Sequence, residues 1–263
     1  MIIVVIIVLF VVAILMIRKK PTSRIAVVAC IKDPKNIETW FKIHRDLGIS
    51  RFYVRLEETP DLVEYFKSQP DVFLQTGDSA SKDPYTDLMT RQAAMINLAL
   101  ELCKTDGIDW LIHIDCDEIL EGSLDEIRRL PRNVGTFWMQ NYEALYDNIP
   151  TSKDNCFKAV KFNDCSVSEC ASYANGKGGG RVSIAKSNGP HRFASDRREV
   201  KLRSLIVKHF ESCDFDQYIA KYKRLGNSDT SVIPFAYYKD SIQANGDAEK
   251  LAEVYKRYRV KNS

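Results

Sequence analysis

The sequence predicts an α/β fold, with a mainly parallel sheet flanked by helices. Three observations carry this. Residues 25–31 are a continuous apolar run, as in strands buried on both faces. After it, helical and strand-like patterns alternate in the order β-α-β-α-β, the signature of a doubly wound sheet. A later apolar run, 109–114, leads directly into Asp115, Asp117 and Glu118. That puts acids at the carboxyl end of a strand, where open α/β sheets collect ligands.

The elements follow in order. Asp33-Pro34 ends the first strand. Over 36–47 the residues Ile37, Trp40, Phe41, His44 and Leu47 recur at helical spacing, and Gly48 supplies a stop. Residues 51–56 read as a second strand, 59–68 as a short helix with Leu62, Val63 and Phe66 inward, and 72–75 as a third strand. A polar loop over 77–84 precedes an amphipathic helix over 88–103, and 109–114 is the fourth strand. Ser123 and Glu126 have the spacing of a capping box for a helix over 123–130. Another strand covers 134–140, and Pro150 closes that region; 151–169 carries no clear pattern. Residues 173–180 are glycine-rich, 181–185 suggest a strand and 188–193 a turn. An apolar strand over 202–210 contains His209, an amphipathic helix covers 215–225, and a last helix covers 247–258.

Residues 1–17 carry no charge, and Arg18, Lys19 and Lys20 follow. A helix of that length spans about 25 Å, near the lower limit for crossing a bilayer. The leading charges and small-residue cleavage site of a signal peptide are missing. The expected organisation is therefore a transmembrane anchor over 1–17, a basic juxtamembrane linker over 18–24 and one α/β domain over 25–263. The positive-inside bias puts the domain in the cytoplasm, with a lumenal Golgi or ER orientation as the alternative. The basic linker also suits anionic headgroups. A net charge of +3 without a dense basic stripe does not point to nucleic acid. The seven cysteines include no C-x-x-C pair, which argues against zinc. Cys30, Cys103 and Cys116 read as buried thiols. Cys156, Cys165, Cys170 and Cys213 would pair in an oxidising lumen and stay reduced in the cytoplasm.

Three constellations carry chemistry. On an extended backbone Asp115 and Asp117 share a side. Two carboxylates that close repel unless a cation separates them, and hard oxygen ligands suit Mg²⁺ or Mn²⁺ together with a phosphorylated ligand. The same D-x-D also describes a plain strand end followed by the acidic start of a helix. The second is Asn175-Gly176-Lys177-Gly178-Gly179-Gly180, which either cradles phosphate or forms a flexible hairpin turn; it is not a P-loop. The third is His209 in Lys208-His209-Phe210-Glu211, a metal ligand or a structural histidine. His191 sits in a turn that suits contact with sugar or phosphate. His44 and His113 read as structural.

The order and spacing of these segments resemble a known family. Ile31-Lys32-Asp33, Ile37-Glu38-Thr39-Trp40, His44-Arg45-Asp46-Leu47-Gly48-Ile49 and Phe52-Tyr53-Val54 lead into the run from Trp110 to Glu118. Gly176-Lys177, Gly189-Pro190-His191-Arg192-Phe193, Lys208-His209-Phe210-Glu211, Phe215-Asp216 and Lys221-Tyr222-Lys223 follow. Most of 25–225 thus resembles nucleotide-sugar glycosyltransferases of the GT-A (Rossmann-like) fold, specifically family 92 and the related family 2-like group. The resemblance implies an inverting hexosyltransferase-type enzyme (EC 2.4). It would use Mn²⁺ or Mg²⁺ to move a sugar from a nucleotide-sugar donor, a UDP-sugar foremost, to a glycan or glycolipid hydroxyl. It also implies Asp115, Asp117 and His209 at the metal, and Asp115, Lys177 and His191 at the donor. On that basis Lys177→Ala would weaken donor binding more than folding. The carboxylate that takes the acceptor's proton stays open among Glu118, Asp164, Glu169, Asp196 and Glu211. The sequence departs from the family pattern at Asp33-Pro34, where Asn-Glu is usual, and at Glu57-Glu58, where an Asp-rich segment is. Two other readings compete: a non-catalytic, membrane-tethered glycan-binding relative, and a metal-dependent nucleotidyl- or phosphotransferase.

Overall fold

The described residues run first through β1 (Ile25–Ile31), α1 (Ile37–Leu47), β2 (Arg51–Glu57), a 3₁₀ turn (Pro60–Leu62), α2 (Val63–Lys67), β3 (Val72–Gly77), α3 (Pro84–Asp106) and β4 (Trp110–His113). It continues as β5 (Glu118–Gly122), α4 (Asp125–Arg128), β6 (Val134–Met139), β7 (Asn141–Leu145), β8 (Lys161–Asp164) and β9 (Lys177–Arg181). The remainder is β10 (Lys186–Ser187), β11 (Phe193–Ala194), β12 (Arg198–Lys201), β13 (Leu205–His209), α5 (Phe215–Leu225), α6 (Ala236–Gln243) and α7 (Ala248–Arg259). This computed structural model describes residues 23–79, 84–159, 161–167, 170–226, 228–231, 233 and 235–260. The expected anchor, 1–17, and most of the basic linker lie outside the described residues. Among the described residues no helix is long and apolar enough to cross a membrane.

The main sheet has seven strands in the order β12-β6-β9-β4-β1-β2-β3. β1 pairs in parallel with β2 and β4, while β9 runs antiparallel between β4 and β6. The fold is thus mixed α/β, with a Rossmann-like parallel centre. The unbroken apolar run of β1 is explained by its two covered faces. Val27, Ala29 and Ile31 pack with Trp40 and Phe41 of α1, while Ala26 and Val28 pack with Met95, Ile96 and Leu100 of α3. The chain enters at the amino ends of these strands. There the Arg24 N–H donates to Asp109 Oδ2 (2.8 Å) and its guanidinium to the Asp106 carbonyl (2.6 Å).

A second sheet, β5-β13-β7-β8, packs beside the first. Helix α1 fixes its position. Trp40 Nε1 donates to the Glu118 carbonyl at 2.8 Å, and His44 Nε2 accepts from the Leu120 N–H at 3.1 Å. His44 Nδ1 therefore carries the proton and donates to the Trp40 carbonyl. Burial pushes the His44 pKa down to about 4, so the ring stays neutral and structural, as the sequence suggests.

Four sequence expectations are corrected here. The chain after the acids is a strand, β5, and only Asp125–Arg128 is helical. Ile119 and Leu120 gain more from pairing with β13 inside the core than from a helix. Ser123 and Glu126 form no capping box; the Glu126 carboxylate instead accepts from the N–H groups of Arg203 and Ser204 and the Ser204 hydroxyl. The glycine-rich run is neither hairpin nor phosphate loop, because its Lys177–Arg181 segment is the buried strand β9. A Cβ on Gly179 would lie 2.3 Å from Phe137 Cζ, and one on Gly180 2.4 Å from Ala185 Cβ. The bare backbone lets neighbouring side chains close over the sheet. The strand suggested over 181–185 is mostly turn, and the sequence pattern marks none of β7, β8, β10, β11, β12 and α6.

Cys156 joins Cys213, and Cys165 joins Cys170, while Cys30, Cys103 and Cys116 are free.

Candidate active site

A cavity of about 400 Å³ opens at the carboxyl ends of β1 and β4. Its walls come from Lys32 and Asp33 after β1, Asp115 and Asp117 after β4, His209 and Glu211 at the end of β13, and Lys221 and Arg224 on α5.

Beyond β4 the chain does not stay extended. Cys116 and Asp117 lie in a turn closed by the Glu118 N–H on the Asp115 carbonyl at 3.1 Å. The two aspartates therefore enter different partnerships. Asp115 Oδ2 meets Lys177 Nζ at 2.5 Å, and its Oδ1 accepts from Gln92 Nε2 at 2.7 Å. Burial opposes charge on Asp115, yet Lys177 holds its carboxyl well below the usual carboxylate range. Lys177 is fully buried, with Asp115 and, at 3.3 Å, Glu118 as its ion partners. Its ammonium thus faces these carboxylates beneath the cavity floor. Burial disfavours its charge, but Asp115 and Glu118 raise its pKa above the ordinary lysine value. Glu118 is also fully buried; it accepts from the Asp115 N–H at 2.7 Å and from the Tyr173 hydroxyl, and burial raises its pKa.

Asp117 joins a second group. Its Oδ2 lies 3.6 Å from His209 Nε2, and Glu211 Oε2 lies 3.5 Å from the same nitrogen. Ligand atoms of Asp117, His209 and Glu211 all fall within 4.8 Å of one another. The backbone sets this geometry. His209 stands opposite Glu118 in the β13–β5 ladder, and the Phe210 N–H donates to the Asp117 carbonyl at 2.8 Å. Glu211 has its own cation, Lys221, at 2.8 Å. Burial opposes charge on His209, but Asp117 in first place, with Glu143 and Glu211, raises its pKa well above the ordinary value.

The balance of charge shows what this group suits. Asp115 has Lys177, Glu211 has Lys221, and Glu143 has Arg259 at 3.5 Å. Asp117 has no lysine or arginine partner among the described residues. Two hard oxygens and one imidazole nitrogen, with a carboxylate not matched by a fixed cation, fit a divalent ion. Asp115, expected at the metal, is taken up by Lys177 and Gln92, and Glu211 stands in the metal group beside Asp117 and His209. The other candidate group, Glu143 with Cys165 and Cys170, is unsuited because its sulfurs are joined to each other.

His191 lines the cavity. Its Nδ1 donates to the Gly176 carbonyl at 2.9 Å, its ring lies 4.9 Å from that of Tyr173, and burial pushes its pKa down to about 3. His113 sits behind it on the Pro190 carbonyl at 2.6 Å, a structural role. Of the carboxylates considered as bases, Glu211 is in the cavity wall and Glu118 is buried behind it. Asp164 lies on β8 with Tyr142 and Ser166, and Asp196 is exposed in the turn between β11 and β12. Glu169 lies outside the described residues. Sequence reasoning missed Gln92, Tyr173, Glu143, Ser172 and Arg259, whose roles come only from packing between distant segments. Lys221 and Arg224 left a signal, since with Gln217 they share one face of α5.

No family model matches the sequence. The chain is 24% identical to a protein of Arabidopsis thaliana named glycosyltransferase-like, an alignment covering 84% of this chain and 54% of the relative. It is 21% identical to a second Arabidopsis thaliana protein of that name, over 71% of this chain and 53% of the relative. The chain thus spans about half the length of the curated relatives it matches. Among solved structures, Rv0371c of Mycobacterium tuberculosis H37Rv in complex with manganese is 11% identical, covering 47% of this chain and 66% of that one, with a TM-score of 0.31.

Proposed function

We propose that this domain is a GT-A glycosyltransferase that moves a sugar from a nucleoside diphosphate donor to a glycan or glycolipid hydroxyl with the help of Mn²⁺ or Mg²⁺. One observation carries the reading: Asp117, His209 and Glu211 converge at the wall of a cavity at the carboxyl ends of β1 and β4. The resemblance of the sequence motifs and the names of the Arabidopsis relatives support it.

Asp117, His209 and Glu211 hold the cation, which when bound offsets charge developing on the leaving diphosphate. Arg224 on α5 lines the cavity and supplies positive charge for phosphate oxygens, beside Lys221 and Lys35, which are paired with Glu211 and Asp214. Asp115, fixed by Gln92 and Lys177, presents a rigid carboxylate for a donor hydroxyl. Lys177 acts through Asp115. The cavity suits a nucleotide sugar in size, since small-molecule pockets run to about 300–1,000 Å³.

A panel of nucleotide sugars with Mn²⁺ tests the proposal. Nucleoside diphosphate should be released, a UDP-sugar being the first candidate, and EDTA should stop the release until Mn²⁺ or Mg²⁺ is restored. Release of pyrophosphate would favour nucleotidyl transfer, and no release from any donor would sink the reading.

We also propose that the domain faces an oxidising lumen, with 1–17 as its membrane anchor. The two disulfides support this over the cytoplasmic placement that the basic linker suggests. Without reductant, three of the seven cysteines should label after denaturation, and all seven with it. Seven labelled without reductant, in protein from its native compartment, would restore the cytoplasmic placement.

A further inference from the structure

Behind His209 lies a buried polar group that no step of the proposed transfer uses. Arg259, at the end of α7, is 0% exposed. Its Nη2 donates to the Ser172 hydroxyl at 3.0 Å, its Nη1 is 3.5 Å from Glu143 Oε2, and its guanidinium lies 4.6 Å from the centre of the Tyr237 ring. Burying a guanidinium is costly. Here two of its nitrogens, Nε and Nη1, have no hydrogen-bond acceptor among the described residues. Simple anchoring of α7 is a poor explanation for such a residue.

The hydrogen bonds lead towards His209. Glu143 lies beside His209 in the parallel β7–β13 pairing. Its carboxylate accepts from the N–H groups of Ala171 (2.7 Å) and Ser172 (2.8 Å) and from the Ser172 hydroxyl. The Ser172 hydroxyl has one proton, which goes to Glu143. Towards Arg259 it can only accept. Its remaining contact is His209 Nδ1 at 3.2 Å, so the ring nitrogen must be the donor there. The other nitrogen, Nε2, then faces Asp117 and Glu211, and it is the one whose lone pair a cation would take in exchange for a proton.

We infer that Arg259, Ser172 and Glu143 are positioning residues that fix His209 as its Nδ1–H tautomer, so that Nε2 is offered to a divalent cation. This rests on the metal reading above. Groups that orient a ligating histidine in this way typically alter metal affinity by about 10–100-fold. The last helix of the domain thereby becomes part of the metal site, although none of its residues reaches the cation group.

The test is Mn²⁺ titration of the metal-free full chain, with free Mn²⁺ followed by electron paramagnetic resonance. Ser172→Ala removes a single oxygen, so it serves even if Arg259→Met fails to fold. Its Kd should rise at least about tenfold. Long-range ¹H–¹⁵N spectra of the Mg²⁺-loaded protein should show His209 protonated at Nδ1 in the wild type. A Kd for Ser172→Ala within twofold of the wild type, with binding lost in His209→Ala, would overturn the array and leave the metal reading standing. Unchanged binding in His209→Ala would remove the metal reading and the inference with it.

Discussion

Asp117→Ala is expected to lower sugar transfer by at least about a thousandfold, equivalent to about 4 kcal/mol of transition-state stabilisation. Asp117 is the cavity carboxylate that no lysine or arginine neutralises among the described residues, so its charge is the one left for a divalent ion. Its removal leaves His209 and Glu211 without the third ligand. The fold should tolerate the change, because the Asp117 side chain is 30% exposed and its backbone bond to Phe210 does not depend on it. The expected result is a melting temperature within a few degrees of the wild type, with nucleotide release at the level seen in EDTA. Substantial activity in this variant, or wild-type activity in EDTA, would overturn the metal assignment.

Lys177→Met is expected to cost about 3–5 kcal/mol of stability, the usual penalty for breaking a buried ion pair from one side. Read from sequence, Lys177 is a phosphate-side lysine on a glycine-rich loop, whose loss would weaken donor binding more than folding. Its position beneath Asp115 and beside Glu118 reverses that order. Without the ammonium, the buried Glu118 and the half-buried Asp115 are left with too little positive charge. Urea denaturation should show the loss, and adding Asp115→Asn should recover part of it by removing one uncompensated carboxylate. A single variant as stable as the wild type but impaired in donor binding would return Lys177 to the phosphate role.

The two cases show what could be read from the chain. β1, α1, β2 and α5 follow from apolar periodicity, and α5 has the predicted bounds because Asp214 caps its start and the apolar face ends at Leu225. β9 was hidden because its packing is supplied by its neighbours. Phe137 and Phe193 occupy the space that side chains on Gly179 and Gly180 would fill, so the strand has no apolar pattern of its own. In the site, Asp117 and His209 could be found by residue type and order. The part played by Glu211 could not, because it depends on where β13 meets the turn after β4. Burial decided Lys177, and only tertiary contacts reveal Ser172 and Arg259, which come from a loop and a helix end far apart in sequence.

The attachment of Arg24 to Asp106 and Asp109 has a consequence for reach. It fixes the incoming chain at one rim of the sheet, while the cavity opens at the opposite rim. The seven residues of β1 separate the two, about 23 Å at the usual strand rise. A tether preceding Arg24 would hold the domain by its back and turn the mouth outwards. An acceptor rooted in the same surface would then need an extended head to enter, whereas a freely diffusing glycan could approach unobstructed.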